Sequence, residues 1–399
     1  MLDDECRLAQ RVDQLRAPER LHGDGLCRGE GRVRSVKTRA GLFRAVGEPL
    51  EVVELDLAEP GPDDVVVRIV AAGICGTDLH QVKGEWQRPT PMVLGHEGAG
   101  IVEHVGDAVD SVRVGDEVVL SWAPSCGTCA DCARARPAAC VPLHRAIGNG
   151  TLVDGTTGMS LDGATVYRGT ATGAWAEHVV VSSQVALPTH GAVPLRDAAL
   201  LGCAALTGVG AVLFAARATP GGVALVIGAG GVGQFVVQGA RLAGAEAIVV
   251  VDPVEARREQ VLRLGATHAV HPDDLKETMA WVSPEGADYG FDAVGYPETT
   301  VTALRFTRSG GTTVMVGLPP TGLRLDLDPG EFLRREKFLT GTMYGSEDPA
   351  VALPILLEHV AAGRLELAPL LGEVFSLDAI DDAVQASLEL PAGRVLIEP

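Results

Sequence analysis

Three residues with zinc-binding side chains, Cys75, His96 and Cys203, are candidates for a metal site. Thiolate and imidazole groups are preferred protein ligands of zinc, and a set of three leaves one of four tetrahedral positions open. An open position admits a substrate oxygen, on which the metal acts as a Lewis acid, whereas four protein ligands serve structure. The three residues therefore predict a catalytic zinc.

Four polar residues close to these ligands are candidates for catalysis. Asp78 is expected to accept the spare ring N–H of His96 and so to fix its tautomer. Glu97 is expected behind the metal, as an occasional ligand or as an electrostatic support. Thr77 and His80, the latter on an expected short helix, are predicted to carry a proton out of a dry site. A half-exposed surface position is the alternative for His80.

A second cluster contains four of the eight cysteines of the chain within fifteen residues. Four thiolates at such spacing close a tetrahedral zinc and leave no open position, which predicts a structural metal that stiffens a long loop. Such crowding suits a metal in a reduced compartment better than disulfides. The four are Cys126, Cys129, Cys132 and Cys140, and no role is assigned to Cys6 or Cys27.

A glycine-rich motif follows the apolar run 223–227 and opens a predicted helix that continues through Leu242. Its glycines are Gly228, Gly230, Gly231 and Gly233, and Asp252 follows the last of them by nineteen residues. This context is that of a dinucleotide-binding motif, in which glycines let the backbone approach a pyrophosphate and the acid binds the adenosine ribose. Because a carboxylate repels a 2′-phosphate, the motif favours NAD over NADP.

The surrounding pattern predicts the elements that position these residues. Residues 36–203 contain many short β-rich runs between turn residues, which is typical of an irregular β-barrel. Alternating strands and helices over 204–347 predict a doubly wound parallel sheet. Residues 348–399 contain two predicted helices and a last strand, and we expect them to return to the first domain. Residues 1–35 are expected to form an N-terminal extension, either flexible or packed along the surface.

Length and composition agree with a two-domain enzyme. A chain of 399 residues exceeds the size at which one hydrophobic core keeps growing. The formal charge of −19 disfavours nucleic acid and anionic membrane surfaces as partners. No apolar run has the length of a membrane span, and the N-terminal residues lack the apolar core of a signal peptide. A cytoplasmic location is therefore expected.

From about residue 36 to the C-terminus, the chain resembles the zinc-dependent alcohol dehydrogenases of the medium-chain dehydrogenase/reductase superfamily. The resemblance is carried by Gly-His-Glu at 95–97, the four-cysteine cluster, Gly-Cys at 202–203, the glycine motif with Asp252, and Gly-Arg-Val at 393–395. It implies an α/β fold in two domains. A GroES-like β-barrel catalytic domain would comprise 36–203 and 348–399, and a Rossmann NAD-binding domain would comprise 204–347.

The resemblance also implies roles for individual residues. It implies two zinc ions per chain, with Cys75, His96 and Cys203 on the catalytic one and the four clustered cysteines on the structural one. Further residues are implied for the proton relay (Thr77, His80), for support of the zinc ligands (Asp78), for the cofactor (Thr207, Val232, Arg257, Arg394) and, with Thr77, for the substrate pocket (Trp122, Leu318).

The implied reaction is hydride transfer between NAD and a primary, secondary or aryl alcohol, giving an aldehyde or a ketone. Alternatives within the enzyme class are a thiol-adduct formaldehyde dehydrogenase, a nicotinoprotein with tightly bound NAD, and a biosynthetic oxidoreductase for a larger alcohol. A non-catalytic protein that binds zinc and NAD is the alternative from another class, but it would need no proton relay. The segment 148–173 resembles that of longer family members, which favours a homodimer over a homotetramer.

Overall fold

A computed structural model describes residues 36–389 and 392–399. The N-terminal extension predicted for residues 1–35 lies outside these residues. In the described part, short strands over 36–188 form two sheets, and the last strands of the chain join one of them. The strands of this first half are Val36–Phe43 (β1), Glu51–Leu57 (β2), Asp64–Gly73 (β3), Met92–Val93 (β4), Glu97–Val105 (β5), Glu117–Leu120 (β6), Met159–Leu161 (β7), Ala164–Thr165 (β8), Tyr167–Arg168 (β9), His178–Ser182 (β10) and Ala186–Pro188 (β11).

The two sheets of this half have the strand orders β8-β7-β2-β1-β4-β9 and β11-β6-β5-β3, and β10 pairs with β3 as well. Strand β3 is central because it pairs with β5 and β10, and its residues Val65, Val66 and Val67 are buried. Its register with β5 places Gly73 opposite Glu97. A Cβ atom on Gly73 would lie 2.2 Å from the carboxylate of Glu97, so glycine leaves the space for that side chain.

The middle of the chain forms a sheet of six parallel strands. They are Val223–Ile227 (β12), Ala247–Val251 (β13), His268–Val270 (β14), Ala287–Asp292 (β15), Thr307–Met315 (β16) and Phe338–Gly341 (β17). The spatial order is β14-β13-β12-β15-β16-β17, which reverses direction beside β12. This is the doubly wound arrangement predicted from the sequence, and such sheets bind ligands at the carboxyl ends of the strands where the order reverses.

Eleven α-helices lie in the described residues. They are Gly76–Val82 (α1), Val141–Asn149 (α2), Leu195–Ala198 (α3), Ala204–Gly210 (α4), Gly231–Leu242 (α5), Glu255–Arg263 (α6), Leu275–Val282 (α7), Pro297–Phe306 (α8), Gly330–Leu333 (α9), Pro349–Ala361 (α10) and Ile380–Leu388 (α11). The sequence pattern predicts strands near 268–270 and 289–294 with no helix between them, whereas the structure has helix α7 there. Within 36–389 and 392–399, no single helix could span a membrane, although the bent pair Leu195–Gly202 and Ala204–Ala215 together reaches the required length and hydropathy.

The C-terminal strands return to the first half of the chain. Leu371–Ser376 (β18) pairs with Arg394–Glu398 (β19), and β19 runs antiparallel to β3. The backbone N–H of Ile74 donates to Val395 at 3.0 Å, which extends this pairing to the start of α1. The C-terminus therefore lies beside the residues that carry the first predicted zinc ligand.

Candidate active site

The three predicted ligands of the catalytic zinc lie together. Cys75 caps the N-terminus of α1, His96 precedes β5, and Cys203 precedes α4. Their ligand atoms, with a carboxylate oxygen of Glu97, all lie within 4.8 Å of one another, and all four residues are buried. Two thiols and an imidazole around one point are a donor set that zinc prefers. The side chains present therefore fit that metal.

Asp78 orients the imidazole of this cluster. Its carboxylate accepts hydrogen bonds from His96 Nδ1 at 3.1 Å, from the backbone N–H of Cys75 at 3.0 Å and from that of Gly95 at 3.1 Å. Because Nδ1 is engaged, Nε2 is the nitrogen left to bind a metal. The side chain is 1% exposed, so these bonds are not shared with solvent.

Proton sharing within the cluster favours the charged forms of two ligands. A hydrogen bond from Cys203 lowers the pKa of Cys75 well below its ordinary value, against the effect of burial. Burial acts to lower the pKa of His96, but the charge and hydrogen bond of Asp78 outweigh it and raise that pKa well above the ordinary value. A thiolate is the species that binds a metal, so Cys75 is prepared for this role.

Glu97 lies behind the cluster in a buried ion pair. Its carboxylate oxygen is 3.1 Å from Nε of Arg394, but the two groups are not aligned for a hydrogen bond. Burial raises the pKa of Glu97 to about 8, although the charge of Arg394 opposes the shift. The same pairing raises the pKa of Arg394 above its ordinary value against the effect of burial. The carboxylate is thus held next to the metal ligands without a hydrogen-bond partner in the described residues.

The four cysteines of the second cluster also converge, with their sulfur atoms within 4.8 Å of one another. Two measured separations are 3.9 Å for Cys126 to Cys132 and 3.5 Å for Cys129 to Cys132. Tetrahedral zinc with sulfur bonds of about 2.3 Å requires sulfur atoms about 3.8 Å apart. All described cysteines are free thiols. The cluster therefore fits a closed four-thiolate zinc.

Thiolate formation in this second cluster is uneven. Hydrogen bonds from the backbone and hydroxyl of Thr128 and from the backbone N–H of Cys129 lower the pKa of Cys126 to about 6. Burial raises the pKa of Cys140 to about 12. Backbone N–H groups that point at a sulfur atom stabilise its negative charge in the same way. Cys126 is therefore the first of this pair to lose its proton as the pH rises.

Thr77 and His80 lie three residues apart on α1, so both side chains occupy one face of the helix, and both line a cavity. His80 Nδ1 hydrogen bonds with the carboxylate of Glu85. The ring of Trp86 stacks on His80 with centroids 4.9 Å apart. With Nδ1 and one ring face occupied, His80 is held in a fixed orientation in the cavity wall.

The cavity has a volume of about 540 Å³ and connects the first metal cluster with the glycine motif. Most of the predicted site residues line it, namely Cys75, Thr77, His80, His96, Trp122, Cys203, Thr207, Gly228, Gly230, Gly231, Val232, Asp252, Arg257, Leu318 and Arg394. Asp78 and Glu97 lie behind its wall in contact with lining residues. Gly233 and the four-cysteine cluster are outside its lining.

The glycine motif forms the turn between β12 and α5. Gly228 has a φ of +94°, which favours glycine. A Cβ atom on Gly233 would lie 1.9 Å from the carbonyl oxygen of Gly228, so this glycine permits the close packing of helix on strand. A Cβ atom on Gly230 would meet nothing within 4 Å. There is therefore space at the helix N-terminus for a ligand to contact the protein backbone.

Asp252 lies immediately after β13 and is 3% exposed. Its carboxylate accepts hydrogen bonds from the backbone N–H groups of Ala229 and Val254, both at 2.8 Å, and Arg257 lies 3.9 Å from it. These bonds join the acid to the glycine motif and to the chain that enters α6. The carboxylate is therefore fixed at the cavity wall, where a ribose would lie in a dinucleotide site.

Arg394 reaches the glycine motif from β19. Its Nη1 donates to the carbonyl oxygen of Ile74 at 3.0 Å, whereas Nη2 is buried without a partner in the described residues. A Cβ atom on Gly231 would lie 2.7 Å from Nη2. An unpartnered guanidinium nitrogen at a helix N-terminus fits a pyrophosphate group. The side chains present therefore fit a dinucleotide.

Aromatic side chains form the cavity wall beside the metal cluster. The ring of Trp122 lies edge-on to His96 at 6.0 Å and 4.7 Å from the ring of Tyr344. The hydroxyl of Tyr344 donates to the carbonyl oxygen of Gly202 at 2.6 Å. This bond holds the ring of Tyr344 beside the next residue, the metal ligand Cys203. Leu318, half exposed, lies at the opposite, nucleotide-sheet side. Trp122 and Leu318 thus both lie where a substrate would contact them.

Trp86, Arg88, Met343 and Tyr344 are among the lining residues that the sequence analysis did not predict. Trp86 follows the predicted relay histidine by six residues, and this proximity to His80 was the one available signal. Met343 and Tyr344 follow the last strand of the parallel sheet, and the distance in sequence gives no sign that Tyr344 approaches Trp122.

Comparison with known proteins identifies the family of both halves. The family model described as alcohol dehydrogenase GroES-like domain matches residues 61–191, and the zinc-binding dehydrogenase model matches residues 231–358. An S-(hydroxymethyl)glutathione dehydrogenase of Synechocystis sp. is 34% identical over 354 residues, which are 87% of this chain and 96% of that protein. These matches confirm the predicted GroES-like and Rossmann-type fold class.

Two solved structures are similar over nearly their whole length. Benzyl alcohol dehydrogenase from Acinetobacter calcoaceticus has a TM-score of 0.86 at 29% identity, with 91% of this chain and 99% of that chain covered. An alcohol dehydrogenase zinc-binding domain protein from Burkholderia ambifaria has a TM-score of 0.86 at 31% identity, with coverages of 92% and 99%.

Proposed function

Since this chain belongs to the zinc-dependent alcohol dehydrogenases of the medium-chain dehydrogenase/reductase superfamily, we propose that it oxidises aromatic primary alcohols with NAD. Its activity is that of an oxidoreductase that interconverts alcohols with aldehydes or ketones. The observation that carries the aromatic preference is the wall formed by Trp122 and Tyr344 beside the metal cluster. Aromatic walls bind flat rings through large apolar contact areas and favourable edge-to-face geometry.

Cys75, His96 and Cys203 would hold the catalytic zinc, and the four clustered cysteines would hold a structural one. Bound zinc supplies Lewis-acid polarisation of the alcohol oxygen, and bound NAD supplies the hydride acceptor. Asp78 holds the His96 ring so that Nε2 faces the other ligands. The buried cluster excludes bulk water, which strengthens the electrostatic effect of every charged group in it.

Thr77 and His80 form the proposed path for the substrate proton. The hydroxyl of Thr77 accepts and donates at the same oxygen, and His80 exchanges a proton at Nε2 while Nδ1 stays bonded to Glu85. Both residues line the cavity and share a helix face, which supports transfer along α1. Glu85 would fix the neutral tautomer of His80 and would accept the Nδ1 proton when Nε2 gains one, and its partial exposure gives that proton an outlet to solvent.

We propose NAD rather than NADP because Asp252 faces the cavity as a buried carboxylate. Its negative charge would repel a 2′-phosphate and accept hydrogen bonds from ribose hydroxyls. Arg394 Nη2 and the N-terminus of α5 would bind the pyrophosphate, and Thr207 and Val232 would contact the nicotinamide. The ratio of kcat/KM for NAD and NADP tests this assignment, and a preference for NADP would contradict it.

The first experiment measures zinc and nucleotide content, followed by NADH formation with benzyl alcohol, ethanol and S-(hydroxymethyl)glutathione. We expect two zinc ions per chain, no retained nucleotide, and the highest kcat/KM for benzyl alcohol. Cys75→Ser should remove one zinc and all turnover while the fold persists. Full turnover by this variant would refute the catalytic zinc assignment. NAD that remains bound through purification, with no NADH release, would instead identify a nicotinoprotein.

A thiol-adduct formaldehyde dehydrogenase is the second candidate function. It is favoured by the 34% identity to the S-(hydroxymethyl)glutathione dehydrogenase of Synechocystis sp. over 96% of that protein. The same panel of alcohols separates the two functions. A kcat/KM for S-(hydroxymethyl)glutathione that is more than tenfold above that for benzyl alcohol would replace our proposal with this one.

We propose further that the protein is a cytoplasmic homodimer. Strand β17 forms an open edge of the parallel sheet, and near this edge Phe338 is 61% exposed and Leu333 is 82% exposed. An uncovered edge with large apolar side chains favours pairing with a second copy. Light scattering during gel filtration distinguishes monomer, dimer and tetramer, and Phe338→Glu should weaken the dimer.

A further inference from the structure

Arg88 lies in the wall of the cavity on the same side as the proposed proton path. Its guanidinium carbon is 5.2 Å from the ring centroid of Trp86, which itself stacks on His80. Nη1 donates to the backbone carbonyl oxygen of Ile147 in α2. These contacts fix the guanidinium so that only the ring of Trp86 separates it from the relay histidine.

No carboxylate pairs with Arg88 in the part of the chain that the structure describes. The only acidic residue among the described residues that line the cavity is Asp252, whose oxygens are bonded to the backbone of the nucleotide-binding half. The hydrogen bond of Arg88 in the described residues goes to the backbone carbonyl oxygen of Ile147 and not to an acidic group. The substrate half of the cavity thus contains a cation without a matching anion.

A half-buried guanidinium without an anion is electrostatically unfavourable. Burial lowers the pKa of Arg88 because the charged form loses water. The whole chain carries a formal charge of −19, so its field repels anionic molecules unless a local positive group attracts them. A ligand carboxylate at Arg88 would restore the missing partner through charge-assisted, bidentate hydrogen bonds.

We propose that the substrate carries a carboxylate at the end remote from its hydroxyl, and that Arg88 binds this carboxylate. This inference rests on the proposed function, because the hydroxyl end must lie at the first metal cluster. Trp122 and Tyr344 then contact the body of the substrate, and Arg88 selects its charged end. The substrate class is that of aromatic hydroxymethyl carboxylates.

A purely structural role is the competing explanation for Arg88. Its stem and guanidinium pack on Trp86, so a substitution could displace that ring and with it His80. Such a displacement would slow the oxidation of charged and neutral alcohols to the same extent. The ratio between the two substrates therefore distinguishes binding of the carboxylate from support of the wall.

The experiment compares kcat/KM for 3- and 4-(hydroxymethyl)benzoate with that for benzyl alcohol. We expect the wild-type protein to prefer one of the carboxylates, and Arg88→Met to reduce this preference about 10- to 100-fold, the range of a charge-assisted hydrogen bond. Arg88→Lys should retain part of the preference, and added salt should weaken it. Arg145→Met, which removes an exposed arginine of the same helix as Ile147, should leave both rates unchanged.

Equal losses for charged and neutral alcohols, or a wild-type protein without preference, would overturn the proposal. Calorimetric binding of 4-methylbenzoate, with 4-methylbenzamide as its neutral control, gives a second readout that needs no turnover. Binding to the wild-type protein that Arg88→Met abolishes identifies a contact at Arg88 rather than at the metal. If this binding is found while no alcohol is oxidised, the proposed function fails and the anion site stands. If benzyl alcohol is oxidised and 4-methylbenzoate binds equally to both proteins, the anion site fails alone.

Discussion

Replacement of Asp78 by asparagine tests the support of the catalytic zinc most directly. The carboxylate accepts three hydrogen bonds in a fully buried position, two at one oxygen from Gly95 and His96 and one at the other from Cys75. Asparagine keeps one acceptor oxygen for the first pair. Its amide nitrogen would then face the backbone N–H of Cys75. Both groups are hydrogen-bond donors, so the bond that Asp78 accepts from Cys75 would be lost.

The magnitude follows from these contacts. Loss of a hydrogen bond to a charged group removes about 1.5 to 3 kcal/mol, and the unpaired buried N–H of Cys75 adds about 1 to 3 kcal/mol. We therefore expect Asp78→Asn to lower the free energy of unfolding of the metal-free protein by about 2.5 to 6 kcal/mol. We also expect the affinity of the first cluster for zinc to fall about 10- to 100-fold, as for other groups that orient a metal-binding histidine.

Equilibration against a series of chelator concentrations, followed by metal analysis, measures this effect. One zinc should leave Asp78→Asn at a lower chelator concentration than it leaves the wild-type protein. The second zinc should leave both proteins at the same concentration, because the four-cysteine cluster contains no contact with Asp78. Asp110→Asn, at an exposed position, is the control for the loss of one charge. Unchanged release of both zinc ions would refute the role assigned to Asp78.

Three further predictions concern other parts of the site. Glu85→Gln should lower kcat about tenfold and increase its solvent isotope effect, because a neutral amide holds His80 less firmly than a carboxylate. Gly233→Ala should lower the melting temperature and abolish NAD binding in calorimetry, because its Cβ would lie 1.9 Å from the carbonyl oxygen of Gly228. In zinc-free protein, iodoacetamide should modify Cys126 rapidly at pH 7, because a thiol with a pKa of about 6 is mainly a thiolate at pH 7.

Matched control variants and residues identify the results that would contradict these three predictions. Glu103→Gln removes another carboxylate near a histidine, and a loss of kcat equal to that of Glu85→Gln would show a general charge effect. Gly230→Ala introduces a Cβ into open space and should keep the wild-type melting temperature, so equal destabilisation of both glycine variants would contradict the steric argument. Modification of Cys140 should keep rising with pH towards its pKa of about 12, and equal rates for it and Cys126 at pH 7 would contradict the assigned shifts.

The sequence predicted the metal clusters and the nucleotide motif because their chemistry restricts the residue types. A zinc site needs soft donors, and few residues other than cysteine and histidine supply them. A pyrophosphate loop needs glycine where a Cβ would collide, as at Gly233. The parallel sheet was predictable for a related reason, since buried parallel strands require nearly continuous apolar runs such as β12 and β13.

The cavity wall on the substrate side was less predictable, because its residue types are not tied to one kind of ligand or reaction. Tryptophan and arginine occur in many environments, and nothing in the sequence relates Arg88 to Ile147 or Tyr344 to Trp122. These pairs meet because the loop after α1, helix α2 and the chain after β17 converge on one cavity. The missing helix α7 has a similar cause, as only Leu275 and Met279 of its eight residues are buried.

Arg394 shows why a C-terminal residue belongs to a site whose metal ligands and glycine motif lie between 75 and 252. The pairing of β19 with β3 carries the arginine to the end of the strand that precedes Cys75. From there its side chain contacts the carboxylate of Glu97 and reaches the glycine motif at Gly231. One guanidinium therefore neutralises the acid behind the metal ligands and presents a nitrogen to the nucleotide site, so a substitution such as Arg394→Met should weaken both zinc and NAD binding, and loss of only one of them would contradict this coupling.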